Sequence, residues 1–220
     1  MCGRFSLTQP REAVARLFEA VPDPALAPEA PRHNICPTQT VDVVRSGPAG
    51  RQIVPMRWGF VPPWAKRLGE GPLLINARAE TLADKPAFRE AARQRRCLVP
   101  ASGFYEWQGK GPGKQAFWVA PPSGGIVAFA GVWSRWAGEG GPLDSVAIVT
   151  VAANDALRPI HDRMPLVIEP AAFALWLGEA GHGAARLMRP MPEACFAPQR
   201  VGPAVNSSRA DGPELMAPLA

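Results

Sequence analysis

Residues 97–153, CLVPASGFYEWQGKGPGKQAFWVAPPSGGIVAFAGVWSRWAGEGGPLDSVAIVTVAA, decide the fold class. Four runs in it, CLVPASGFYEW, QAFWVAPP, IVAFAGVWSRW and SVAIVTVAA, are rich in β-branched and aromatic residues and are separated by Gly/Pro turns. Strands in succession with short punctuated connections predict a mainly antiparallel sheet. The longest apolar run, GGIVAFAGVW, is far too short to span a bilayer.

Outward from this stretch the pattern turns helical. TQPREAVARLFEAV puts Val14, Leu17, Phe18 and Val21 at helical spacing, with Thr8 as N-cap and Pro10 in the first turn. DKPAFREAARQRR predicts a second helix capped by Asp84, with Phe88, Ala91 and Ala92 inward, and 169–177 a third; GAARLMR carries a weaker helical signal. Between the first two helices, VDVVR and RQIVPMRWGF read as β segments, the second an edge or irregular strand because of Pro55. Strands in the middle and helices on the flanks give an α+β class. The 220 residues contain no linker, charge block or repeat and are expected to form one domain, with the C-terminal ADGPELMAPLA the loosest segment.

The net charge of +5 raises the prior for a polyanionic partner such as nucleic acid. Cys2, Cys36, Cys97 and Cys195 form no CxxC pair, which speaks against a zinc site and a disulfide framework. No metal or cofactor is expected. The N-terminus does not read as a secretory signal, so a cytoplasmic, monomeric protein is expected.

Several short segments carry candidate chemistry. MCGRF places Cys2 behind an initiator Met whose removal would give one residue both a thiol and an α-amine. In LLINARAET, Asn76 and Arg78 share a strand face, and read either as a strand end with a cap or as a carboxamide and guanidinium facing an anion. In SGFYEWQGK, Glu106 reads either as a solvent-facing residue between inward Tyr105 and Trp107, or as a desolvated carboxyl with a raised pKa. His161 of RPIHDRMP reads either as a solvated loop residue or as a proton shuttle just after a central strand. RWGFVPPWAKR suits either a hydrophobic turn, favoured for Trp58 and Phe60, or base stacking, with Trp64 the more exposed.

Taken together and in order, MCGRF, RHNICP, RWGFVPPW, LINARAET, FYEW and IHDRMP resemble the SOS response-associated peptidase family, whose members process abasic sites by a covalent DNA–protein crosslink through the second residue. The resemblance implies a strongly bent, barrel-like sheet. It implies Cys2 as the crosslinking residue, oriented by Asn76, with Glu106 and His161 handling protons. Arg4, Arg78 and Arg163 resemble the family's phosphate-contacting arginines, and Asn34, Pro37, Trp64 and Thr150 stand where its nucleic-acid cleft is lined. It further implies abasic single-stranded DNA or 3′-end junctions as partner, nucleoid association when bound, peptidase (hydrolase) removal of Met1 and a weak lyase side activity. Cys36 stands where alanine is more usual, and Ala65 where some members carry a second tryptophan. Two rival readings are an N-terminal-nucleophile amidohydrolase and a non-covalent nucleic-acid binding module.

Overall fold

A computed structural model describes residues 2–138 and 140–219. In chain order the described strands are β1 (Phe5–Leu7), β2 (Ala20–Pro22), β3 (Arg32–Ile35), β4 (Thr40–Gly47), β5 (Gly50–Trp58), β6 (Asn76–Arg78), β7 (Arg96–Ala101), β8 (Gly103–Gln108), β9 (Gln115–Ala120), β10 (Val127–Gly138), β11 (Gly141–Ala152), β12 (Arg163–Pro165) and β13 (Ala197–Arg200). The helices are α1 (Arg11–Phe18), α2 (Pro86–Gln94) and α3 (Phe173–Leu177), the last preceded by a 3-10 turn.

Five strands close on themselves in the order β5, β4, β7, β10, β11. The seam is the parallel pairing of Ser145 and Val146 with Arg57 and Trp58, which removes the sheet edge. So small a barrel requires close approach across its strands. At Gly131 an added Cβ would lie 2.9 Å from Cys97 Sγ, so glycine fits where a larger residue would not. The barrel fold is α+β and mainly antiparallel, as read from the sequence and from the family resemblance.

Beside the barrel lies a second antiparallel sheet, β13-β9-β8-β1-β3, which carries the N-terminus. Phe5 pairs with Phe104 on one side and Ile35 on the other, and its ring meets Trp58 and Phe129 edge-on at 5.1 and 6.1 Å. Burying one such aromatic stabilises by roughly 2–3 kcal/mol, which fixes the chain three residues after Cys2.

Some local expectations are corrected. Thr8 does not cap α1; Pro10 occupies that position, and the Thr8 N–H donates to Ser102 Oγ. Glu19 in the left-handed conformation ends the helix, so Val21 lies on β2 and is exposed. Asp84 does not cap α2, because Lys85 precedes a Pro at N1, and Ala92 is only half-buried beside buried Phe88 and Ala91. Residues 184–187 form a 3-10 turn. Pro55 lies between the part of β5 paired with β2 and the part paired with β11, where a missing N–H costs no ladder bond on that flank.

The C-terminal segment is not loose. Leu215 is buried with Tyr105, Trp118, Val201 and Val205 in a small second core, and Leu219 N–H donates to Arg200 O.

Candidate active site around Cys2

Cys2 is fully buried, its Sγ 3.8 Å from the Arg4 carbonyl oxygen and its own carbonyl accepting a 2.9 Å hydrogen bond from Asn76 Nδ2. Asn76 is brought there by β6, a short strand that runs parallel to β11 with Asn76 opposite Ile148. Its other amide atom, Oδ1, is buried and accepts no hydrogen bond among the described residues. Met1, whose removal the sequence reading expects, lies outside the described residues.

Glu106 lies on β8, the neighbour of β1, and is 4% exposed. Simple alternation would leave one side of β8 in water. Here both sides are covered: Phe104 joins the barrel core, while Tyr105 joins the core built by the C-terminal segment. The solvent-facing reading of Glu106 is therefore overturned. Burial pushes its carboxyl pKa up, with His161 pulling the other way. The Cys2 thiol is likewise pushed far up, first by burial and then by the Glu106 charge, which keeps its proton on at neutral pH.

His161 lies in the connection between β11 and β12 and is partly exposed. Its Nδ1 accepts the Arg163 backbone N–H at 3.0 Å, which leaves the proton of the neutral ring on Nε2. Asp162 Oδ1, also 3.0 Å from Nδ1, is a ready acceptor once the ring is protonated.

The candidate arginines differ. Arg4 donates to Asn34 Oδ1 at 2.9 Å and to Val205 O at 2.7 Å, lies over Trp107, and meets no carboxylate among the described residues. Arg78 is exposed, and its side chain makes neither hydrogen bond nor ion pair among the described residues. Arg163 is already committed: it forks onto Glu80 at 2.7 and 2.9 Å and donates to Thr150 O at 2.6 Å. The fork lowers the Glu80 pKa.

Two residues expected to line a cleft are buried. Thr150 is completely buried, pairs with Arg78 across β6 and β11 and accepts from Arg163, and Asn34 is 3% exposed. Asn34 is instead a buried junction, donating to Ser207 O and Ala210 O while accepting from Arg4. Pro37 is half-buried and Trp64 is 60% exposed, whereas Trp58 and Phe60 are buried as the packed-turn reading has it. Cys36 is buried, with Sγ donating to Asn34 O at 3.4 Å.

Asn34→Ala leaves one cation and two carbonyls short of a partner, so a stability loss of about 2–3 kcal/mol is expected, read as a fall of roughly 5–10 °C in melting temperature. A melting temperature equal to the unaltered protein's would show that the junction is not needed.

Sequence reasoning missed Glu80 and the C-terminal segment. Glu80 was in view, two residues past Arg78, but a 3-10 turn at Ala79–Thr81 swings it to Arg163. Asp211 accepts the backbone N–H groups of His33 and Asn34 at 2.6 and 3.1 Å, a contact across the whole chain that no local pattern announces.

Among the described residues no group of three His, Cys, Asp or Glu side chains could hold a metal, and no helix is long and apolar enough to cross a membrane.

Comparison with known proteins agrees with this architecture. The family model described as SOS response associated peptidase (SRAP) matches residues 1–208. The abasic site processing protein YoqW of Bacillus subtilis (strain 168) is 33% identical over 224 residues, covering 98% of this chain and 99% of that one. The abasic site processing protein YedK of Escherichia coli (strain K12) is 32% identical over 226 residues, covering 100% of both. The abasic site processing protein HMCES of Mus musculus is 32% identical over 270 residues, covering 99% of this chain and 76% of that one. A crystal structure of a Bacteroides thetaiotaomicron protein superimposes with a TM-score of 0.86 over 100% of both chains at 21% identity, which bears on the fold alone. Matched over nearly its whole length by the family model and by these relatives, the chain belongs to the SOS response associated peptidase family.

Proposed function

We propose that this protein processes abasic sites in DNA, and that it does so by crosslinking itself to the ring-opened sugar through Cys2 once Met1 has been removed. The observation that carries the reading is the hydrogen bond from Asn76 to the carbonyl of the fully buried Cys2 just before β1, with the buried Glu106 acting electrostatically on the Cys2 thiol and His161 on Glu106.

An abasic site exposes an aldehyde, whose natural partner is an amine. An α-amine with a pKa near 8 is about 10% neutral at neutral pH, against about 0.04% for an ordinary lysine. The Cys2 amine attacks the aldehyde carbon, and the resulting carbinolamine loses water to give an iminium as Glu106, whose pKa burial raises, supplies the proton. The Cys2 sulfur, two carbons from the nitrogen, then passes its proton to the Glu106 carboxylate and adds to the imine carbon. The nitrogen keeps the hydrogen it brought from the amine, and a five-membered thiazolidine closes. A buried thiol with a raised pKa supports this order, because the sulfur is a poor first attacker.

Asn76 holds the Cys2 carbonyl and so orients the residue. His161 acts at the sugar oxygen, assisting ring opening and reversal of the crosslink. Met1 removal belongs to the same reading as a peptidase (hydrolase) step. Strand cleavage by β-elimination is a side activity of the imine that ring closure suppresses.

Arg4 and Arg78, both without a carboxylate partner among the described residues, are assigned to DNA phosphates, with Trp64 and Pro37 beside them on a single-stranded or 3′-junction substrate. The committed guanidinium of Arg163 supports a positioning role instead. For Arg78→Ala we expect weaker binding to an abasic single-stranded oligonucleotide and a plot of log affinity against log salt shallower by about one unit. An unchanged affinity and slope would remove Arg78 from the phosphate contacts.

The test of the function itself is incubation with a 5′-labelled oligonucleotide carrying one abasic site, followed by heat and a denaturing gel. A shifted band is expected with abasic DNA and none with intact DNA; no band with either rejects the reading.

A further inference from the structure

The connection between β5 and β6 is the most apolar exposed segment described. Past Trp64, assigned above to DNA, Leu68 and Leu73 are each 50% exposed, two of the five large hydrophobic residues that stand out of the described surface. The loop is not slack. Its base is tied to the barrel by Val61 N–H to Ser145 Oγ at 2.8 Å, Ser134 Oγ to Val61 O at 2.5 Å and Trp136 Nε1 to Ala65 O at 2.6 Å. An apolar surface that a fold holds rigidly in water marks an interaction site.

Leu68 and Leu73 border a cavity of about 120 Å³ together with two cations, Arg57 and Arg67, and one carboxylate, Glu70. Gly59, at φ 126°, lets this wall form: an added Cβ would lie 2.6 Å from Arg57 Nη1 and 2.7 Å from Leu73 Cδ1. A guanidinium and an aliphatic side chain therefore converge over one glycine. Arg57 donates to Gly59 O, and neither Arg57 nor Arg67 has an ion pair among the described residues. The acidic residue of the loop, Glu70, is engaged in accepting the backbone N–H groups of Lys66 and Arg67.

We propose that the 68–73 part of this loop is a protein-docking surface for an acidic peptide with an apolar anchor, the anchor entering the cavity between Leu68 and Leu73 and the carboxylates meeting Arg57 and Arg67. The leucines decide against nucleic acid as the occupant, since an aliphatic side chain offers no π face on which a base can stack. The unpaired cations decide for an acidic peptide over a neutral one, and an apolar pocket rimmed by arginine is the pattern of an interface hot spot.

The test is fluorescence anisotropy of a labelled peptide of consecutive aspartates ending in leucine and phenylalanine, with the full-length protein. Saturable binding in the micromolar range is expected. It should weaken about tenfold for Leu68→Asp/Leu73→Asp and also when both apolar residues of the peptide become alanine. Covalent capture of an abasic oligonucleotide by the same double variant should be unchanged, which separates this surface from the Cys2 site. The alanine peptide needs no variant protein, so a folding defect leaves the test intact. No binding up to about 1 mM, equal binding of the alanine peptide, or a parallel loss of DNA capture would each overturn the proposal.

Discussion

Cys2→Ala protein, processed at Met1 like the unaltered chain, forms no heat-stable adduct with abasic DNA. Its new N-terminal alanine still presents an α-amine, so the imine can form, but no sulfur closes the ring. The stable band on a denaturing gel should fall to background, while borohydride added during the incubation should recover part of it by reducing the trapped imine. This pair of outcomes separates loss of ring closure from loss of DNA binding. An equally heat-stable adduct without borohydride would mean that another group makes the bond. Loss of both signals would place the defect in binding or in Met1 removal instead.

The second large effect is expected at Glu106. Glu106→Gln keeps the shape and a hydrogen-bonding amide but can neither give nor take the proton, so adduct formation should slow by about 10²–10⁴-fold. Stability should move differently. Burial raises the folded-state pKa of this carboxyl above its unfolded value. Between the two values the folded protein holds a proton that the unfolded chain has released, so stability falls as pH rises from the ordinary carboxylate range toward the elevated pKa. Glutamine has no such term, and a melting series against pH should be flatter for the variant across that window. A rate within a factor of two of the unaltered protein would remove Glu106 from the chemistry.

Much of this arrangement was legible in the chain, for identifiable reasons. The four β runs of residues 97–153 became β7 to β11 because β-branched and aromatic residues between Gly/Pro turns have few other ways to pack. Closure of the barrel was not legible, since it rests on two residues of β11 meeting β5 in parallel across most of the intervening chain. Strand alternation puts Asn76 and Arg78 on one face without choosing between a cap and a site, a choice only the family resemblance makes, and it misses the burial of Glu106, because it assumes one wet face and β8 has none over residues 103–106. The missing cover is the C-terminal segment, whose Gly, Pro and Ala look like a frayed end. Only in space do Leu215, Asp211 and Asn34 show that it straps β3 and encloses the Arg4 side of the site.

The same contacts sort the arginines in a way that charge counting cannot. Arg163 and Arg78 stand in separate motifs and look alike in sequence, yet one is neutralised by Glu80 and the other is open. A partnered guanidinium would have to break a two-bond fork before gripping a phosphate.

The central claim is that one residue supplies both atoms of the crosslink. Tandem mass spectrometry of the peptide released from the DNA adduct, after treatment with iodoacetamide under denaturing conditions, tests it most directly. The account predicts a peptide beginning at Cys2, lacking Met1, carrying the sugar remnant and not alkylated at sulfur. A remnant on a lysine, or a Cys2 that carries the remnant on nitrogen while its thiol takes up iodoacetamide, would contradict it.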